Sequence, residues 1–375
     1  METHLDIKSL CTKVHETYTI TKGIGEGSFG EVFEAEHNIL NFKVAIKKCS
    51  KERVKEFCRE LLSLNKLNHP NIISMFHVYS LDLAYYIVME LAPGCNLYTY
   101  LNNNNMRVKE NTCRIIGRQL ASALCHMHNI SIVHRDIKPE NIVLNETTMQ
   151  IKLLDFGLSD TLDNKAGLTQ FCGTPGYMAP EVVQNKLYSA QIDMWSLGIV
   201  FYEMITGMLP DLIPSETKTR RTKVPKDLEE IVKAHLQLEA VRNCSVQFQN
   251  LLANLLQLDP LKRIDSARLC KHPWLTENFK SPILTCGYET LPALTRFRIY
   301  KQLATLTNKT MGQTVNLIET TSRQHHFPGM LRMLILPELE KLYFNNLINI
   351  SNHKRTLDDC NVCPRTILKN KSVQA

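Results

Sequence analysis

Between Tyr18 and Met89 the chain carries short runs of strand-forming residues, Val44-Ala45-Ile46 and Tyr86-Ile87-Val88-Met89 among them. One stretch, roughly Lys51 to Leu67, breaks these runs with the spacing of an amphipathic helix. From Asn111 onward the pattern turns mostly helical, most clearly over Cys113–Met127 and Gln191–Thr206. Strands first and helices later predict an α+β unit of two lobes with a cleft between them. Leu91-Ala92-Pro93-Gly94 marks the crossing, because Pro and Gly stop the preceding strand. The run Asn102–Asn105 reads as a loop tip, and no internal repeat is present.

Composition narrows the class. A chain of 375 residues accommodates one large domain with an appendage, or two ordinary domains. Its 44% hydrophobic residues are enough for a sizeable core. The most apolar stretch, Trp195 to Leu209, is interrupted by Ser196, Gly198, Glu203 and Gly207. It falls short of the ~20 apolar residues a membrane span needs, so it predicts a buried core helix and no span. The first ten residues contain no apolar run of signal-peptide length, and the 12 cysteines lack framework spacing. Reduced thiols and a cytoplasmic or nuclear location are therefore expected. From Thr276 to the end there are 13 Lys+Arg against 7 Asp+Glu, so this stretch carries +6 of the net +7. It holds no dense basic block, which predicts a solvated surface rather than a nucleic-acid partner.

Against this background, four groups of residues carry chemistry. Gly25-Glu26-Gly27-Ser28-Phe29-Gly30 is a glycine-rich stretch followed by the strand pattern Glu31–Ala35. That context favours a hairpin whose backbone lies over phosphates, whereas a dinucleotide-binding loop would lead into a helix. Lys47 follows at the end of a strand expected beneath that hairpin, and Glu60 lies on the inner face of the predicted helix. An ion pair between them would hold the ammonium against the α- and β-phosphates. His134-Arg135-Asp136-Ile137-Lys138-Pro139-Glu140-Asn141 supplies a carboxylate, an ammonium and an amide carbonyl in one loop. Asp155-Phe156-Gly157 adds a second carboxylate after the strand-like Ile151–Leu154. Phosphoryl transfer needs positioning and charge neutralisation more than covalent help, and Mg²⁺ prefers oxygen ligands.

Taken together and in this order, these motifs resemble the eukaryotic protein kinase family over Tyr18 to Leu275. The resemblance implies a two-lobed kinase fold, with a β-rich small lobe and a helical large lobe; the residue pattern beyond it adds a helical C-terminal extension. It implies ATP and Mg²⁺ as cofactors and protein hydroxyls as acceptors. Asp136 takes the base role, Lys138 reaches the moving phosphoryl group, Lys47 contacts phosphate, and Asn141 and Asp155 hold metal. Gly25, Gly27, Ser28 and Gly30 would cover the phosphates. Ile24, Val32, Ala45 and Val143 would sandwich the purine, with Met89 as gatekeeper and the backbone of Glu90 and Ala92 against adenine. Ala179-Pro180-Glu181 matches the family's closing motif, with Glu181 expected to pair with Arg263. Asp193–Gly198 resembles the core helix that anchors the catalytic loop, and His272-Pro273-Trp274 the usual domain end.

Lys138 and Thr174 resemble the serine/threonine class, Thr174 being the residue that contacts the catalytic aspartate and lysine. Asn65–Ile72 and Cys172–Glu181 look most like the calcium/calmodulin-dependent group, including its AMP-activated branch. Asn96 departs from the acidic residue common in that group; it retains hydrogen bonding to ribose without the charge, while Glu140 remains acidic. Arg135 implies control by a phosphorylated segment, because guanidinium binds phosphate well. Yet Gln170 occupies the usual phosphosite, Thr169 is the nearest hydroxyl, and the pocket positions Glu56 and Asp160 are acidic. Two readings stay open: Thr169 as an activating phosphosite, or a segment that needs no phosphate.

Beyond Leu275, helical segments are expected at Pro292–Leu306 and Pro337–Ile350, each with Pro at a first helical position. The basic amphipathic stretch from Arg296 resembles a calmodulin-binding or autoinhibitory segment, but the favoured reading is a helix packed on the large lobe or in a small accessory domain. Cys360 and Cys363 have the spacing of half a zinc site without a second pair nearby.

Overall fold

A computed structural model of the chain describes residues 14, 17–27, 30–38, 43–80, 84–162, 167–212 and 224–283. The chain divides into two units, Met1–Ala35 with Lys43–Ala293, and Glu36–Phe42 with Leu294–Ala375. Apart from Glu36, His37 and Asn38, the second unit lies outside the described residues, as do the helices expected at 292–306 and 337–350 and the Cys360/Cys363 pair.

The first unit begins with a five-stranded sheet of β1 (Tyr18–Gly27), β2 (Gly30–His37), β3 (Lys43–Ser50), β4 (Met75–Ser80) and β5 (Ala84–Glu90), ordered β1-β2-β3-β5-β4. Central β5 is buried from Ala84 through Met89, as its unbroken apolar run requires. Helix α1 (Val54–Lys66) follows a short 3-10 turn capped by Ser50, whose hydroxyl accepts from Glu52 N. Its inner face is Phe57, Glu60, Ser63 and Leu64, the three-to-four spacing of one helical stripe. Phe57 stacks on Tyr85 of β5 at 4.2 Å between ring centres, which docks α1 on the sheet. Lys47 sits in the middle of β3 and not at its end as the sequence pattern predicted. The strand continues because Lys48, Cys49 and Ser50 pair with Tyr86, Tyr85 and Ala84. β3 also lies beside β2 in the same sheet, rather than beneath it.

The larger lobe opens with β6 (Cys95–Asn96) and α2 (Leu97–Asn103), then α3 (Glu110–Asn129). Next come β7 (Ile132–Val133), β8 (Ile142–Asn145), β9 (Gln150–Leu153) and β10 (Asp160–Thr161). These strands form two small antiparallel sheets, β6-β8-β9 and β10-β7, which frame the loop between β7 and β8. After α4 (Pro180–Val183) comes α5 (Gln191–Thr206), buried at every position but its first. A mainly apolar helix buried on all faces lies inside, and α5 is the centre of the lobe. Gly198 lets it approach the following helices closely, since a Cβ there would stand 2.8 Å from Leu256 and 2.9 Å from Leu255. Helices α6 (Leu228–Leu236), α7 (Glu239–Arg242), α8 (Val246–Leu255), α9 (Ser266–Leu269) and α10 (Pro273–Thr276) complete the lobe. Arg263 and Glu181, both buried, pair through Nη1–Oε1 at 2.6 Å and Nη2–Oε2 at 3.1 Å, as the family resemblance implied. Among the described residues no helix is long and apolar enough to cross a membrane.

Candidate active site

Gly25 and Gly27 lie in β1 and Gly30 opens β2; Ser28 lies outside the described residues. Gly30 has φ 148°, and a Cβ there would stand 2.0 Å from the Lys48 carbonyl oxygen, so only glycine fits. Ile24 is exposed, Val32 on β2 and Val143 on β8 are half-buried, and Ala45 on β3 is buried. Met89 is buried opposite Ala45 and Met75, in the middle of the sheet where its side chain has little freedom. Glu90 spends its N–H on the Ser74 carbonyl at 2.8 Å, and its carboxylate pairs with Lys152 at 2.8 Å. Ala92 lies in the irregular crossing that follows β5. Asn96 turns its carbonyl inward as the N-cap of α2, accepting from Thr99 N at 2.7 Å.

Lys47 joins three elements. Its Nζ donates to both Glu60 oxygens, at 2.9 and 2.8 Å, and to Asp155 Oδ1 at 3.0 Å. Burial alone disfavours all three charges. It works against the Lys47 ammonium, but the Glu60 and Asp155 carboxylates more than offset it and hold the lysine above its ordinary value. Burial pushes the Glu60 carboxyl up, and Lys47 opposes that rise only in part. The contact lengths are those of an ionised pair, so the ammonium with a Glu60 carboxylate is the arrangement that fits both. Asp155 is also penalised by burial, yet Lys47 outweighs this and holds its carboxyl below the usual range.

The loop from His134 to Asn141 is built from the core outward. Asp193 of α5 accepts from His134 N at 2.8 Å, Arg135 N at 2.9 Å and His128 Nε2 at 3.0 Å. Burial opposes its charge, but His128 and His134 hold its carboxyl below the ordinary value. These bonds keep Arg135 at φ 69°, a left-handed conformation that side chains adopt only when over-determined. The His134 ring accepts from Asp136 N at 3.2 Å through Nδ1, so Nε2 carries the hydrogen that reaches the Leu154 carbonyl at 2.9 Å. That ring thereby couples the loop to Asp155, which is itself at φ 57°. Asp136 is buried and receives Thr174 Oγ1 at 2.6 Å, Lys138 Nζ at 2.9 Å and Asn141 Nδ2 at 3.1 Å. Lys138 Nζ also donates to Thr174 Oγ1 at 2.7 Å, closing a triangle.

Four contacts have no signal in the motifs. Lys47 meets Asp155, 108 residues away in the chain. Ser159 donates to Ser63 of α1 at 2.7 Å. Asp160 sits 3.1 Å from Arg135 and 3.9 Å from Arg59 of α1. Only the acidic character of position 160 was visible beforehand. The partners are set by how β10 pairs with β7, where Asp160 lies opposite Val133.

The donors suit a nucleotide with a hard cation. Asp155 offers a carboxylate, and Asn141 uses its amide N–H₂ on Asp136, which leaves the carbonyl end for a ligand. Among the described residues no group of three or more His, Cys, Asp or Glu forms an all-protein metal cage. The Asp155 carboxylate and the Asn141 carbonyl are donors of the kind Mg²⁺ takes from protein, with phosphate and water completing its shell.

The protein kinase domain model matches residues 18–275. Mouse serine/threonine-protein kinase 33 is 37% identical over 283 residues, 71% of this chain and 56% of the relative. Hormonally up-regulated neu tumor-associated kinase homolog A from Xenopus laevis is 36% identical over 284 residues, 72% of this chain and 39% of the relative. The mouse hormonally up-regulated neu tumor-associated kinase is 35% identical over 278 residues, 70% of this chain and 37% of the relative. The chain thus spans between about a third and somewhat over half the length of these relatives. With the motifs, the lobes and the domain match in agreement, the chain belongs to the eukaryotic protein kinase family, among the serine/threonine members of its calcium/calmodulin-dependent-like group.

Proposed function

We propose that the chain transfers the γ-phosphoryl group of ATP to serine or threonine hydroxyls of protein substrates. The observation that carries this reading is the triangle of Asp136, Lys138 and Thr174, set beside the Lys47–Glu60–Asp155 cluster. Asp136 orients the acceptor hydroxyl and takes its proton; the Thr174 hydroxyl and Asn141 amide keep its carboxylate aimed. Lys138, tethered to both Asp136 and Thr174, neutralises charge on the phosphoryl group in flight. Lys47, oriented by Glu60, contacts the α- and β-phosphates under the glycine-rich strands that carry Gly25, Gly27 and Gly30. Asp155 and Asn141 would hold Mg²⁺, which would neutralise phosphate charge there. Ile24, Val32, Ala45 and Val143 enclose the purine, and the Glu90 carbonyl and Ala92 backbone meet its edge. Glu140 is exposed on the loop, which supports a role in meeting a basic side chain of a substrate.

The test is transfer from radiolabelled ATP to a generic basic protein by the full chain, followed by phosphoamino-acid analysis. Phosphoserine or phosphothreonine is expected. Asp136→Ala should lower the rate by about 10²–10⁴-fold while ATP binding persists, because the carboxylate meets the acceptor and not the nucleotide. Transfer by that variant at the wild-type rate, or phosphotyrosine as the product, overturns the reading.

A further inference from the structure

Arg135 is the most enclosed cation near the site. Its side chain is 0% exposed, and a buried guanidinium needs a counter-charge as well as hydrogen bonds. Its Nε donates to the Leu158 carbonyl at 2.5 Å and its Nη1 to the Tyr188 hydroxyl at 3.2 Å. Nη2 makes no aligned hydrogen bond, but it stands 3.1 Å from Asp160 Oδ2, an ionic contact. Asp160 is one of the two acidic positions that left the role of phosphate open in the sequence.

This carboxylate is fixed from several sides. Asp160 lies in β10 opposite Val133 of β7, the strand that runs into the His134 loop. Arg59 of α1 stands 3.9 Å from the same oxygen, one residue before Glu60. The neighbouring Ser159 bonds Ser63 of α1. On the far side, the Tyr188 hydroxyl that receives Arg135 donates in turn to the Gln170 carbonyl at 2.6 Å. Tyr188 and Leu168 exchange backbone hydrogen bonds of 2.9 Å in both directions. One carboxylate therefore faces α1, which carries Glu60, and the guanidinium adjoining Asp136, while that guanidinium reaches the segment at 168–170.

We propose that Asp160 is a positioning residue that supplies Arg135 with a built-in anion, so that the segment around Thr169 is set for transfer without a phosphate. A phosphate would bring negative charge to a guanidinium that already has a carboxylate. Thr169 itself is exposed, between residues held by Tyr188 on either side. The inference rests on the kinase reading and adds to it a mode of control: the enzyme is active as synthesised.

The experiment measures transfer by the full chain before and after treatment with a broad-specificity phosphatase that is then removed, beside four variants. Wild type and Thr169→Ala should each keep their rate within about twofold after treatment. Asp160→Asn should lower kcat by about tenfold, in the range of coupled charge pairs, and Asp160→Glu should recover most of the loss. Arg135→Gln should lose at least as much as Asp160→Asn. Asp160→Asn combined with Arg135→Gln should lose no more than Arg135→Gln alone, because the carboxylate acts through that guanidinium; a merely structural role would make the losses add. The phosphatase arm needs no variant and decides the matter even where Asp160→Asn folds poorly. A wild type that works only while phosphorylated overturns this inference and leaves the kinase reading standing. So does a fully active Asp160→Asn, or additive losses in the double variant. A wild type with no transfer under any treatment overturns both.

Discussion

The two halves of the site are held in different ways. The His134–Asn141 loop is tied through main-chain N–H groups to Asp193, which is fully buried in the central helix α5. Lys47 and Glu60 meet side chain to side chain, between a strand and a helix of the smaller lobe. A main-chain anchor of the first kind yields only if the core opens, because the donors cannot turn away from their acceptor. A side-chain pair of the second kind opens when α1 shifts by a few ångströms. On that comparison the α1 side of the site is the part that can open by a side-chain contact, while the loop carrying Asp136 stays built. The position of Asp160, facing both α1 and Arg135, fits such a division.

Asp193→Ala gives the largest expected effect, because three buried donors lose one shared acceptor. An unsatisfied buried donor costs about 1–3 kcal/mol, so the loss should exceed about 3 kcal/mol in denaturant unfolding of the full chain. A change below about 1 kcal/mol would mean that the loop is held elsewhere. Glu60→Gln should act on the other half: transfer falls about ten- to hundredfold through a misplaced Lys47, while the unfolding midpoint moves little. Lys47 retains Asp155 at 3.0 Å in that variant, which limits the structural damage. Equal losses in rate and stability would erase the distinction between the two halves.

The smallest effect concerns His69, buried where the loop after α1 meets α3. Asn71 N donates to its Nδ1 at 3.1 Å and its Nε2 faces the Ser122 hydroxyl at 2.9 Å. Burial first, with His126 and Lys152 adding to it, lowers its pKa to about 3. The unfolded chain binds a proton at about 6.5 that the fold refuses, so stability falls as pH drops from about 6.5 toward about 3. His69→Gln should lose about 1 kcal/mol of hydrogen bonding at pH 7 but escape that penalty. Its stability should overtake the wild type below about pH 5.5, at a slope approaching 1.4 kcal/mol per pH unit. Parallel pH curves for the two proteins would contradict a buried neutral His69.

Long, strongly patterned elements were legible in the sequence. Gln191–Thr206 is legible to the residue, because a mainly apolar helix bounded by Gly207 leaves few alternatives. The Lys47–Glu60 pair followed from the motifs taken together, and the Glu181–Arg263 pair from the family resemblance. The two-residue strands β6, β7 and β10 had no pattern to read, since period-two alternation needs several residues to appear. For the same reason the Asp160 contacts were hidden: its partner Arg135 is 25 positions away and is brought to it by β10 pairing with β7. The extent of β3 was misjudged because Lys47 is charged and reads as a terminus, although Glu60 and Asp155 neutralise it within the sheet.

Hydrogen exchange at the amides of His134 and Arg135 tests the central claim most directly, measured on the full chain with and without Mg²⁺ and a non-hydrolysable ATP analogue. Both N–H groups point at Asp193 inside the core, so exchange should require global opening and be equally slow in the two conditions. Fast exchange of these amides without the nucleotide, with protection appearing only on its addition, would show that ligand and not the core builds the loop, and would contradict the account.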